Sequence, residues 1–217
     1  MAAGPLGKAL SGGCEVTVPV PGKVDPKGTN GFQPVWAGQW HVQTFKAAGP
    51  KVESIRLRLA GTEAAPGGDL VAELRDPRKP EVQPLARAVF RAAAPDAKVP
   101  AEGATVCRLT PEFEWQSAPF KAEGLEPGQV YELAFSSPEA LDQSPWLVNC
   151  YYRDAYAGGE HRPGGAQEKK PAEEPKAFDL VFELTGGGVK VTSVPGDGVL
   201  PAKERAGLSH EGWAPGK

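Results

Sequence analysis

Residues Lys51–Ala60 read Lys-Val-Glu-Ser-Ile-Arg-Leu-Arg-Leu-Ala, and the second half of this stretch decides the fold. On an extended backbone Ile55, Leu57 and Leu59 point one way, and Arg56 and Arg58 point the other. That period of two marks a strand with one face buried and one face wet. Upstream, Gln39–Lys46 alternates as well, setting Trp40, Val42 and Thr44 against His41, Gln43 and Phe45. Downstream, Gly67-Gly68-Asp69 turns the chain into Leu70–Arg75. Further strands are expected over 85–90, 104–109, 113–120, 130–136, 146–152, 178–184 and 189–194, each bounded by Gly, Pro, Asp or Ser. Only 84–91 and 201–208 offer room for a short helix. Many short strands with turn signals between them predict an all-β, antiparallel sandwich or barrel.

Composition agrees. The chain has 217 residues, of which 27 are Gly and 23 are Pro, the two worst helix formers. Its 24 basic and 27 acidic side chains leave a net charge of −3, which argues against a nucleic-acid partner. No run of about 18 apolar residues exists, so no membrane-inserted helix is expected. The start, Met1-Ala-Ala-Gly-Pro-Leu-Gly-Lys, lacks the charged and apolar regions of a signal peptide. The residues leave open whether the protein stays inside the cell or is a mature piece of a secreted one. Cys14, Cys107 and Cys150 are too few for a disulfide scaffold. Cys107 and Cys150 both fall in expected strands, either paired or as two buried thiols.

Three regions follow from the punctuation. Residues 1–34 read as an N-terminal extension rich in turn formers, with one short strand hidden near 14–18. Residues 35–194 form the sandwich domain, and 195–217 a Pro/Gly-punctuated tail that carries Trp213. Within the domain, 157–177 breaks the strand rhythm as a long polar loop. Leu125-Glu126-Pro127-Gly128 is expected to turn in the type II manner, with Tyr131 starting the next strand, ring inward.

The ordered pieces resemble a bacterial and phage jelly-roll β-sandwich module that occurs as an accessory domain on secreted and surface proteins. Gln43-Thr44-Phe45-Lys46-Ala47 is similar to its opening strand, and Ile55–Leu59 with Gly67–Arg75 to its next two. Pro80 with Pro84-Leu85-Ala86 resembles its P-x-x-x-L-A segment. Trp115, Phe120 and Leu125-Glu126-Pro127-Gly128-Gln129-Val130-Tyr131 match its central passage. Asp154-Ala155-Tyr156-Ala157-Gly158-Gly159 resembles its D-x-Y-x-G-G loop, and Phe178-Asp179-Leu180-Val181-Phe182 its closing strand. Together these span roughly residues 35–187. The family often carries a Trp between that loop and the closing strand, where this chain has the charged run Glu168 to Lys176. The resemblance implies a jelly-roll-like sandwich and a non-catalytic binding, adhesive or structural role, outside the cell or on a surface, a virion included. It transfers no catalytic residue.

Candidate chemistry is sparse. Ser209-His210 lacks the setting of a nucleophile elbow. His41, His161 and His210 are each read as core or solvated histidines. Glu112 and Glu114 share a strand face and are read as solvated rather than as a glycosidase pair. Asp154 and Glu160 are hard oxygen donors of the type Ca²⁺ takes, yet they lack the spacing of a calcium loop, so no metal ligand is assigned. A structural Ca²⁺ is the one cofactor left open. The densest feature is aromatic. Trp146, Tyr151, Tyr152 and Tyr156 fall within eleven positions, with Arg153 and Asp154 among them. Aromatic faces stack on sugar rings or anchor protein interfaces, and a guanidinium or carboxylate fixes hydroxyl groups. The expectation is a non-catalytic module that binds polysaccharide through these six residues. The alternative is a virion or filament subunit that uses its extensions to bind neighbouring subunits.

Overall fold

The computed structural model describes residues 16–17, 30–62, 64–93, 103–110, 112–151, 159–165, 179–186 and 191–192. Among them there is no helix. The strands are β1 (Val16–Thr17), β2 (Asn30–Val35), β3 (Gln39–Lys46), β4 (Lys51–Ala60), β5 (Leu70–Arg75), β6 (Ala86–Ala92) and β7 (Thr105–Cys107). They continue as β8 (Glu114–Glu123), β9 (Val130–Ser136), β10 (Trp146–Tyr151), β11 (His161–Gly165), β12 (Asp179–Leu180), β13 (Phe182–Thr185) and β14 (Val191–Thr192). They form two sheets, one of eight strands and one of six, in which antiparallel pairs dominate. The expectation of an all-β antiparallel sandwich is met.

β4 is the spine of the larger sheet. From Lys51 to Leu59 it pairs with β8, with a register shift between Val52 and Ser54. On its other side it pairs with β13 over Ser54 to Leu57 and with β10 at Leu59 and Ala60. The segment 179–185 therefore wedges between β4 and β10: Asp179 and Leu180 pair with β10, and Phe182 to Thr185 pair with β4. β2 lies along the outer side of β10, and β1 with β14 extend the sheet beyond β13. The smaller sheet runs β11-β3-β9-β5-β6-β7. A tight turn joins β2 of one sheet to β3 of the other, with Trp36 and Gln39 exchanging backbone bonds of 3.0 and 2.9 Å.

Alternation sets the core. Ile55, Leu57 and Leu59 of β4, Phe120 of β8, and Phe182 and Leu184 of β13 face Phe45, Tyr131, Leu133, Phe135, Leu70, Leu74 and Phe90 of the smaller sheet, all buried. Phe45 meets Tyr131 at 6.2 Å and Phe182 at 6.5 Å between ring centroids, the tilted and edge-on contacts that aromatic quadrupoles favour. The outward Arg56 and Arg58 keep the wet face expected of them. β8 guards its edge with Pro119, which donates no ladder bond, and with exposed Lys121 and Glu123.

Three readings of the sequence are refined. The larger sheet already includes Val16–Thr17 and Asn30–Pro34 of the stretch read as an extension. β11 rises inside the stretch read as a polar loop, because backbone pairing with β3 needs no apolar side chains. The 84–91 segment is strand from Ala86, paired in register with β5, whereas 201–208 lies outside the described residues. The 126–129 turn forms as expected: Gly128 sits at φ 84°, and the Gln129 N–H donates to the Glu126 carbonyl at 3.1 Å.

Candidate functional site

The outer face of the larger sheet carries one ordered cross-strand row. The register sets Phe32 of β2 beside Asn149 of β10, and Arg58 of β4 beside Trp115 of β8. The β4–β10 pairing, continued by one residue, brings Arg58 to Asn149, and Arg58 Nη1 donates to Asn149 Oδ1 at 3.4 Å. Arg58 Nε donates to the Phe113 carbonyl at 3.1 Å, and Asn149 Nδ2 to the Gly31 carbonyl at 2.7 Å. The row thus has an aromatic ring at each end and a fixed amide and guanidinium between. It crosses three strand spacings, about 14 Å. Phe32 is 47% exposed, Trp115 is half-buried against the core, and Asn149 between them is buried, so the accessible groups of the row are Phe32, Arg58 and the outer part of Trp115. Beside the row Arg56 lies 4.9 Å from the Trp115 ring centre and pairs with Glu183 at 3.0 Å.

The second ensemble is internal. His41 and His161 stack at 5.0 Å, and His41 Nδ1 lies 2.9 Å from His161 Nε2. His41 Nε2 is 2.9 Å from the Pro34 carbonyl, which only accepts. Nε2 of His41 therefore carries its proton, Nδ1 is the acceptor, and His161 Nε2 donates. Burial pushes His41 down to about 4, against the weaker upward pull of the Pro34 bond. Burial, and next the neighbouring His41, hold His161 well below its ordinary value. Deeper in, Gln43 ties the sheets together: its Nε2 donates to Asp179 Oδ1 at 3.0 Å and its Oε1 accepts from the Leu180 N–H at 3.0 Å.

The expected site residues fare differently. Trp146 is fully buried in the core, and its Nε1 donates to the Gly68 carbonyl at 2.8 Å. This corrects its place in an exposed platform: the inward face of β10 takes the ring, and Gly68 satisfies its one polar atom. Tyr151 ends β10, paired with Asn30 and Asp179. Its side chain, together with Tyr152, Arg153, Asp154 and Tyr156, lies outside the described residues. Glu160 gives its carboxylate to Arg162 at 3.1 Å, and its backbone N–H donates to Thr44 Oγ1 at 2.7 Å. Among the described residues no three His, Cys, Asp or Glu side chains are grouped to hold a metal. Cys107 and Cys150 are buried free thiols in different sheets, pushed up by burial to about 12 and about 11. Glu112 and Glu114 are exposed, as expected of a solvated pair. A cavity of about 320 Å³ beside Gly67, Asp69, Arg91 and Glu139 has its main charges already matched, Arg91 donating to both Asp69 oxygens at 2.7 and 2.6 Å.

The alternation along β4 marks Arg56 and Arg58 as outward in the sequence itself, whereas nothing there sets Trp115 apart as a site residue. The partnership of Phe32 and Asn149 leaves no sequence signal, because it depends on register between strands more than a hundred residues apart. No family model, curated protein or solved structure matches the chain.

Proposed function

We propose that the protein is a non-catalytic β-sandwich binding module that takes polysaccharide across the outer face of its larger sheet. The row Phe32–Asn149–Arg58–Trp115 carries this reading. Rings at its two ends offer stacking surfaces for sugar C–H faces. The Arg58 guanidinium, held by the Phe113 carbonyl and Asn149, directs its remaining N–H groups toward sugar hydroxyls. A module of this type works outside the cell or on a surface, needs no cofactor and performs no reaction. The test is calorimetric titration of the full chain against a polysaccharide panel. One glycan binds saturably, and Trp115→Ala and Phe32→Ala each weaken it at least tenfold. Silence across the panel, or binding indifferent to both changes, overturns the reading.

A second reading, a structural subunit of a virion or filament, draws support from β1 and β14. These strands come from near opposite ends of the sequence, pair in parallel, and extend the larger sheet beyond β13. Light scattering over a range of concentrations tests it: oligomers that vanish when residues 1–17 are removed support assembly, and a monomer at every concentration rejects it.

A further inference from the structure

We infer that the His41–His161 pair is an acid-released latch: when the imidazoles take up protons, the edge strand β11 leaves β3 while the rest of the sandwich stays folded. This goes beyond the binding reading and does not depend on it.

The geometry of the latch is closed and neutral. His41 is 0% exposed and His161 9%. One ring belongs to β3 and the other to β11, and through the Pro34 carbonyl the chain of bonds reaches β2. The pair therefore pins the corner where the two sheets meet. A proton added at His41 Nδ1 sets two N–H groups against each other, unless His161 moves its own proton to its far nitrogen. Either arrangement leaves a cation in a nearly dry place.

Among the described residues the groups that face the pair are mostly uncharged, the buried carboxylate of Asp179 being the exception. From β3 come the amides of Gln39, 3.4 Å from His41 Nε2, and Gln43. From β2 comes the Pro34 carbonyl, with the Gln33 amide, which is 3.7 Å from the Cys150 thiol of β10. β9 faces inward with Leu133 and Phe135. Its Glu132 and the Arg162 of β11 fall on the opposite face by alternation. β12 brings Asp179, whose carboxylate accepts from Gln43. The low proton affinity that burial imposes on both rings agrees with this picture.

β11 is the element able to yield. It is five residues long and, among the described residues, sits at the sheet edge and pairs with β3 alone. Pro163 supplies no N–H, and Gly164 and Gly165 bring no side chains. β3 is held on its other side by six registered pairs with β9 and stays in place. Departure of β11 gives both rings to water, where they bind protons at their ordinary affinity.

Amide hydrogen exchange of the full chain between pH 7 and 4.5, corrected for the intrinsic pH dependence of exchange, tests the latch. Protection over His161–Gly165 is expected to fall about tenfold per pH unit for one proton taken up and about a hundredfold for two. Protection at Leu57 and Leu133 holds over the same range. A His41→Gln, His161→Gln double variant keeps amide donors and acceptors and cannot titrate, so its β11 protection should be flat. If that variant does not fold, imidazole ¹⁵N titration of the unaltered chain decides, with both rings charging at the pH where β11 opens. The inference is overturned if β11 protection is independent of pH. It is equally overturned if Leu57 and Leu133 lose protection in step with β11, or if the rings charge while β11 stays closed.

Discussion

Replacing Trp146 separates a packing role from a ligand-facing one. Its ring is wholly buried among inward residues of both sheets, and its indole N–H is spent on the Gly68 carbonyl. An aromatic side chain of this kind buries roughly 150–250 Å². At about 25 cal/mol per Å² that is about 4–6 kcal/mol. Residual burial in the unfolded chain lowers it to about 3–5 kcal/mol. Trp146→Ala also opens a cavity, and the range for such truncations is about 3–5 kcal/mol. Losing the indole donor adds little, since Gly68 borders the cavity beside Asp69 and Arg91, where water can replace it. The expected loss is about 4 kcal/mol. With a urea m-value of about 2 kcal/mol/M, the midpoint falls by about 2 M without a change in slope. Trp146→Phe keeps most of the ring and loses the donor, so it costs about 1–2 kcal/mol. Far-UV circular dichroism is the suitable readout, because the substitution removes a fluorophore. A Trp146→Ala midpoint within about 0.5 M of the unaltered chain would refute the packing argument and return this ring to the surface.

Other outcomes follow from the same contacts. His41 is lowered when folded, from 6.5 to about 4, so between those values the unfolded chain holds more protons and stability falls as pH falls. That stability is fully present above pH 6.5 and is lost as pH falls toward 4. Glu132, pushed up by burial, opposes part of this loss, and chemical denaturation at a series of pH values reads the balance. Arg78 grips Asp76 and Glu126 and holds both carboxyls below their ordinary values. In Arg78→Ala both should titrate higher by carboxyl ¹³C NMR, and unchanged values contradict the pairing. Gly165→Ala sets a Cβ against the Gly38 carbonyl at φ 113° and should cost about 1–3 kcal/mol of β11 attachment, seen as faster exchange over His161–Gly165. In a Cys14→Ser background, Cys107 and Cys150 should resist a thiol reagent until urea unfolds the chain, and prompt reaction of either contradicts their burial.

Much of the fold can be read along the chain because a strand shows its two faces locally. The alternation of Ile55, Leu57 and Leu59 with Arg56 and Arg58 predicts β4 and which side of it is wet. Pro127-Gly128 predicts its turn because proline fixes one backbone angle and glycine permits the other. Where side chains carry no such pattern, the signal fails. β11 is His-Arg-Pro-Gly-Gly, and only the backbone of β3 makes it a strand. The stretch 178–184 reads as one strand, but Asp179–Leu180 and Phe182–Thr185 serve two partners, since β10 and β4 fork around them.

The candidate sites were decided almost entirely by tertiary structure. A tryptophan is amphipathic, so Trp146 in an aromatic-rich stretch suits a sugar platform and a core equally well. Burial against both sheets and the bond to Gly68 select the core. The sequence alone determined an all-β chain, the places of those strands whose faces alternate, and the outward arginines of β4. Only the paired sheets could bring His41 to His161 across 120 residues, or line up Phe32, Asn149, Arg58 and Trp115. The reason is physical. A period of two is written in the covalent chain, whereas the neighbour and register of each strand come from hydrogen bonds between distant segments.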